Sequence, residues 1–150
     1  MHAHHLEKWD RRFLALARHI SAWSKDPSSK VGCVLVNQQR IVVGMGFNGF
    51  PRGVKDLKPR LEDRPTKYLY VQHAEANAVL NAAGPVAGAT AYVTHPTCAN
   101  CTGLLIQAGI RRIVAASPDA AMAERFAASF AASAAMAKEA GVAMLEVEGI

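Results

Sequence analysis

The segment His73-Ala74-Glu75 and the later segment Cys98-Ala99-Asn100-Cys101 combine three residues of zinc-binding type with one carboxylate that need not bind metal. Zinc is usually four-coordinate; structural sites fill all four positions with Cys or His, and catalytic sites leave one for water. Three ligands and a spare acid are therefore the inventory of a hydrolytic metal site. Cys98 and Cys101, at i and i+3 in the opening turn of a helix, can aim both sulfurs at one point. His73 and Glu75 stand two apart and would diverge on a regular helix, so they can share a site only at a helix entrance.

Charge explains the glutamate. Zn²⁺ with two thiolates and a neutral imidazole sums to zero, so a water bound there is less acidified than at an all-histidine site. A general base beside it offsets that deficit, and Glu75 can carry the water's proton to a substrate. The pattern resembles zinc-dependent nucleobase deaminases, in which the glutamate of H-x-E works without binding the metal. Two other uses of the cysteines stand beside this one. Cys98 and Cys101 could be a redox pair, or His95 could complete a closed Cys₂His₂ structural site.

The elements that must position these residues follow from pattern. Trp9 to Ser24 reads as an amphipathic helix, with Phe13, Leu14, Leu16, Ala17 and Ile20 as its core stripe. Val31 to Asn37 and Arg40 to Gly46 read as a hairpin of two strands, with Cys33 in the core. Phe47 to Tyr70, rich in proline and charge and without period, reads as an irregular loop. Ala74 to Ala83 is a helix ended by Gly84-Pro85, which leaves His73 at its entrance.

A strand at Ala89 to Val93, a helix from Cys98 to Gly109 and a strand at Arg111 to Ala116 come next. A single alanine-rich helix from Ala120 to Ala140 and a last strand at Val142 to Val147 complete the order. Strand–helix–strand units of this length make parallel pairs by right-handed crossover. The expected fold is α/β, three layers α/β/α around a five-stranded mixed sheet with its last two strands parallel.

The chain of 150 residues reads as one domain, 1–150, large enough for a real core. Apolar residues at 51% and charged residues at 19% exclude a disordered chain. No run reaches the length of a membrane span and no secretory pattern opens the sequence, so a cytoplasmic location is expected. Met1-His2-Ala3-His4-His5 reads as disordered or as a cloning remnant that binds metal adventitiously, outside the site. The formal net charge of +5 suits an anionic substrate, although an ordinary solvated surface carries as much.

Beyond the metal motif the chain resembles the deoxycytidylate (dCMP) deaminase family. The resemblance rests on Ser24-Lys25-Asp26-Pro27-Ser28, Val31-Gly32 and the run Gly44-Met45-Gly46-Phe47-Asn48-Gly49-Phe50-Pro51-Arg52-Gly53. It continues in order through Lys67-Tyr68, His73-Ala74-Glu75-Ala76-Asn77-Ala78 and Leu105-Ile106-Gln107-Ala108-Gly109-Ile110. It implies the cytidine deaminase fold and hydrolytic conversion of dCMP to dUMP and ammonia. Zinc-held hydroxide on His73, Cys98 and Cys101 would attack C4, and Glu75 would protonate N3 and help the amine leave.

By the same resemblance the Ala74 amide would hold the pyrimidine O2 and Asn48 would meet the sugar hydroxyl. Lys25 and Arg52, in loops beside the matched blocks, are the expected phosphate contacts. The family implies a homo-oligomer, commonly a hexamer, with dCTP plus Mg²⁺ as activator and dTTP as inhibitor. One departure stands at the metal motif: the family usually has proline directly before the first cysteine, and here that place is Thr97, with Pro96 one back.

Other deaminases of cytosine compounds, purines or tRNA adenosine share the metal motifs. RNA is disfavoured by the absence of a basic stripe with interleaved aromatics. A nucleotide-binding scaffold stabilised by zinc would have no use for Glu75.

Overall fold

The computed structural model describes residues 6–150; the Met1-His2-Ala3-His4-His5 segment lies outside the described residues. In chain order the elements are α1 (Lys8–Ser21), β1 (Gly32–Val36), β2 (Val42–Phe47), α2 (Lys58–Glu62), α3 (Arg64–Tyr70), α4 (Ala74–Leu80), β3 (Thr90–Val93), α5 (Ala99–Gln107), β4 (Arg112–Ala116), α6 (Ala120–Arg125), α7 (Ala127–Ala140) and β5 (Ala143–Val147). The strands form one sheet in the order β2-β1-β3-β4-β5. β1 runs antiparallel to both β2 and β3, whereas β3–β4 and β4–β5 are parallel pairs. The expected mixed sheet is therefore present, with three mutually parallel strands at one side.

Period two along β1 decides the layers. Cys33 and Leu35 point to one core with Ala74, Ala78, Leu105, Ile113 and Ala137; Val34 and Val36 point to the other with Phe13, Leu14, Ala17, Ile20 and Tyr92. The α1 stripe thus covers one face, and α4, α5 and α7 cover the opposite face. Burying a side chain such as Ile20 or Leu35 completely stabilises the fold by about 1.5–3 kcal/mol.

The approach of α4 to β2 is close enough to dictate residue type. A Cβ at Gly46 would lie 2.5 Å from the Ala78 amide nitrogen, and one at Gly44 would lie 2.5 Å from the Ala78 carbonyl oxygen. Only glycine lets the helix that begins at His73 sit this near the sheet.

Two expectations change. The stretch Phe47 to Tyr70 is not wholly irregular, because it contains α2 and α3. Its prolines mask the helices: Pro59 and Pro65 occupy first turns, where a missing N–H costs nothing. Asp63 caps α3 by accepting a hydrogen bond from the Thr66 amide at 3.2 Å. The helix expected from Ala120 to Ala140 is instead broken at Phe126 (φ −112°, ψ 24°) into α6 and α7. No Gly or Pro forces that break, and no helix-breaking signal marks it in the sequence; Phe126 packs on Phe130, one turn into α7, with ring centroids 6.0 Å apart.

Candidate active site

Two helix entrances meet at the site. His73 is the N-cap of α4 and Cys98 is the N-cap of α5, both in extended backbone conformation. An N-cap residue keeps its side chain free of the helix surface, so His73 can point where Cys98 and Cys101 also point. The α4 entrance is tied down by Asn77, whose side-chain amide donates to the Phe47 carbonyl at 2.8 Å.

The His73 Nδ1 lies 3.2 Å from Cys101 Sγ and 3.7 Å from Cys98 Sγ. All three donor atoms fall within 4.8 Å of one another. Tetrahedral zinc with bonds near 2.0 Å to nitrogen and 2.3 Å to sulfur needs neighbouring donors about 3.5–3.8 Å apart. The donor set and its spacing fit that ion. His95 lines the same cavity but stands outside this cluster, and its Nδ1 faces the Pro96 carbonyl at 3.0 Å. Among the described residues the cluster accordingly offers three donors, the open rather than the closed count.

The Cys98 thiol is pushed down to about 4, first by a hydrogen bond from the Cys101 side chain and then by His73. The Cys101 thiol is pushed up as it keeps the proton that the two sulfurs share. A thiolate already favoured at this turn is what a divalent metal needs as a ligand.

Glu75, in the first turn of α4, is only 4% exposed. Burial pushes its carboxyl above the usual value, against the opposing pull of backbone hydrogen bonding and of His73. A carboxyl so placed can hold a proton and return it.

Thr97 stands directly before Cys98 and is buried. Its hydroxyl lies 3.0 Å from that of Thr102, which lies 2.9 Å from the Ser133 hydroxyl, and Ser133 donates to the Thr97 carbonyl at 3.0 Å. One helix turn away, the Ala99 amide donates to Ser129 at 2.8 Å. Hydroxyls of α7 therefore hold the backbone turn that presents Cys98. Polar satisfaction replaces the rigidity that a proline would give.

A cavity of about 430 Å³ opens onto the metal cluster, with His73, Ala74, Glu75 and Cys98 among its lining. Asn48 also lines it, buried, with its carboxamide accepting from the Val31 amide at 2.8 Å and donating to the Ser29 carbonyl at 2.8 Å. One N–H of that carboxamide remains for a ligand. Lys67 and Asp26 form a buried ion pair of 3.1 Å in the wall. Asp26 also accepts from the Ser28 and Ser29 amides at 2.8 and 3.0 Å.

Lys25 and Arg52, expected from sequence near a phosphate, are not among the lining residues. Lys25 is exposed and pairs with Asp56 at 3.0 Å, and Arg52 donates to Asn81 at 2.7 Å. The cationic residues that do line the cavity, besides Lys67, are Arg64 and Arg125, which sequence reasoning passed over. The cap at Asp63 is a readable signal for Arg64; nothing local marks Arg125, because the break at Phe126 is what directs this part of α6 to the cavity.

Residues 7–117 match the family model described as the cytidine and deoxycytidylate deaminase zinc-binding region. The chain is 44% identical over 108 residues to the deaminase of the luxG 3′ region of Aliivibrio fischeri, covering 72% of each. It is 42% identical over 113 residues to the mouse deoxycytidylate deaminase and 40% identical over 113 residues to the human one. Those two alignments cover 71% of this chain and 64% of the mammalian chains. The dCMP deaminase of the cyanophage S-TIM5, solved with dCMP and dUMP, superposes with a TM-score of 0.74 at 20% identity, over 95% of this chain and all of that one. With the sheet order, the metal cluster and the sequence agreeing, the chain belongs to the cytidine and deoxycytidylate deaminase family.

Proposed function

We propose that this protein is a zinc-dependent hydrolase that converts dCMP and water to dUMP and ammonia. The observation that carries this reading is the placement of a buried Glu75 beside the His73, Cys98 and Cys101 cluster on a cavity of about 430 Å³. When bound by His73, Cys98 and Cys101, zinc would supply Lewis acidity to a water molecule. Glu75 takes a proton from water on a carboxylate oxygen and delivers it to N3 of the ring. It then collects the second proton, from the hydroxyl added at C4, and hands it to the amine, so that the C4–N bond breaks, C4 keeps the oxygen as a carbonyl and ammonia leaves with no net change in the glutamate.

The Ala74 amide, in the first turn of α4 where helical N–H groups lack intrahelical partners, is assigned to the pyrimidine O2. Asn48 is assigned to the sugar hydroxyl through its remaining N–H. Names among the relatives support dCMP as substrate, in particular the mouse and human deoxycytidylate deaminases. The reading extends to a cytoplasmic homo-oligomer, a hexamer, activated by dCTP with Mg²⁺ and inhibited by dTTP. Among the described residues no helix is long and apolar enough to cross a membrane.

The test is ammonia release from dCMP, CMP, deoxycytidine, cytosine and a tRNA anticodon stem in parallel, with Glu75→Gln as control. Activity confined to a nucleoside, a base or the tRNA stem overturns the dCMP assignment. Full activity of Glu75→Gln overturns the proton-transfer role. Repeating the assay with dCTP and dTTP, and measuring the assembly by sedimentation, tests regulation and oligomeric state.

A further inference from the structure

Charge accounting around the cavity leaves two cations over. Asp26 and Lys67 neutralise each other, and His73, Glu75 and Cys98 belong to the metal end. Arg64 and Arg125 remain in the lining, and neither has a carboxylate partner among the described residues. They come from separate elements, α3 and α6, so the cavity is bordered by a guanidinium from each of two independent segments.

We propose that Arg64 and Arg125 form a clamp for the 5′-phosphate of the nucleotide, and that this clamp sets the preference for nucleotide over nucleoside. The proposal rests on the deaminase reading above. A phosphate monoester carries a charge of about −1.5 to −2 at neutral pH, which two unpaired arginines match. Guanidinium groups also present paired N–H donors in a plane suited to two phosphate oxygens.

Arg125 is held for this task by its neighbour. Its guanidinium carbon sits 5.0 Å from the centroid of the Phe126 ring, at the residue where α6 and α7 break. Without the break, a straight helix from Ala120 to Ala140 would carry Arg125 and Phe130, five residues apart, on diverging faces. Both line the cavity here. This wall lies after residue 117, outside the stretch that matches the family model, so it is a feature of the chain's own C-terminal part.

The measurement is titration calorimetry of the zinc-loaded full chain with dUMP and with deoxyuridine, paired with kcat/KM for dCMP and for deoxycytidine. Arg125→Gln and Arg64→Gln should each reduce the preference for the phosphorylated ligand by roughly 10- to 100-fold, the range of one charge-assisted hydrogen bond. Arginine-to-lysine versions should recover part of it, and the loss in turnover should fall on KM. Lys138→Gln, which removes an equal charge away from the cavity, should keep the preference of the unmodified chain.

An unaltered preference in both arginine-to-glutamine variants overturns the clamp, as does an unmodified chain that binds dUMP no better than deoxyuridine. If the unmodified chain prefers dUMP through these arginines but leaves dCMP intact, the clamp stands and the reaction assigned above falls.

Discussion

Asp10 on α1 grips Arg112 at the start of β4 through two parallel hydrogen bonds of 2.7 and 2.8 Å, and the Tyr92 hydroxyl donates a third to the same carboxylate at 2.7 Å. This pins the helix on one face of the sheet to two of its strands. Burial alone would raise the Asp10 carboxyl, but hydrogen bonds from Arg112, the Glu7 amide and Tyr92 outweigh it and hold the group at about 2, below the ordinary carboxylate value of 3.8.

A depressed acid stabilises the fold above its unfolded pKa and loses that contribution as pH falls through the folded one. Asp10 should therefore contribute on the order of 2 kcal/mol at neutral pH, falling away between about pH 4 and pH 2. Thermal unfolding of Asp10→Asn and the unmodified chain across that range measures it. The gap in Tm should be widest near pH 7 and close toward pH 2.

Removing the Ser133 hydroxyl leaves the Thr97 carbonyl and Thr102 hydroxyl short of a partner in a dry site. Ser133→Ala should destabilise the fold by about 1–3 kcal/mol and speed zinc loss to a chelator. Ser133→Thr, which keeps the hydroxyl, should retain zinc better. Chelator competition followed with a zinc dye reads both variants.

Cys98→Ser, Cys101→Ser and His73→Ala should each purify with less than one zinc per chain, because each removes one of three donors. His95→Ala should keep a full zinc, since its imidazole stands apart from the cluster. Elemental analysis of the purified proteins decides the matter. Zinc loss from His95→Ala would restore the closed four-ligand site.

Lys67→Met strands the Asp26 carboxylate inside the wall, where its remaining hydrogen bonds come from the Ser28 and Ser29 amides and no cation faces it. The cost should be about 3–5 kcal/mol. Adding Asp26→Asn to that variant should recover part of the loss, because the second change removes the uncompensated charge. Urea denaturation of the two single variants and the double variant gives the coupling.

The layers, the sheet and the metal cluster were legible in the sequence because each is written in local pattern. β1 reads from its alternation, α1 from its stripe, and His73 from its place before a run of helix formers. Most of what escaped was set by contacts between separate segments. The break at Phe126 has no breaker residue beside it, and its stacking on Phe130 is a pair that an unbroken helix would also allow. Lys25 and Arg52 adjoin the right motifs in sequence, yet Asp56 and Asn81 engage them outside the cavity lining. Thr97 looked like a weakness at the metal turn, and only the folded chain reveals Thr102 and Ser133 as its partners.

The cavity draws its lining from both sides of residue 117, where the match to the family model ends. Its floor, His73 to Cys101, must satisfy the geometry of one ion, and residues 7–117 carry the family pattern. Its far wall, Met122 to Phe130, lies beyond that pattern on the alanine-rich α6 and α7. The wall holds no metal ligand, so substitutions there that spare Ser129 and Ser133 leave the metal cluster and its turn intact. A redesigned wall would have to keep Ser129 and Ser133, because their hydroxyls tie α7 to the turn that presents Cys98.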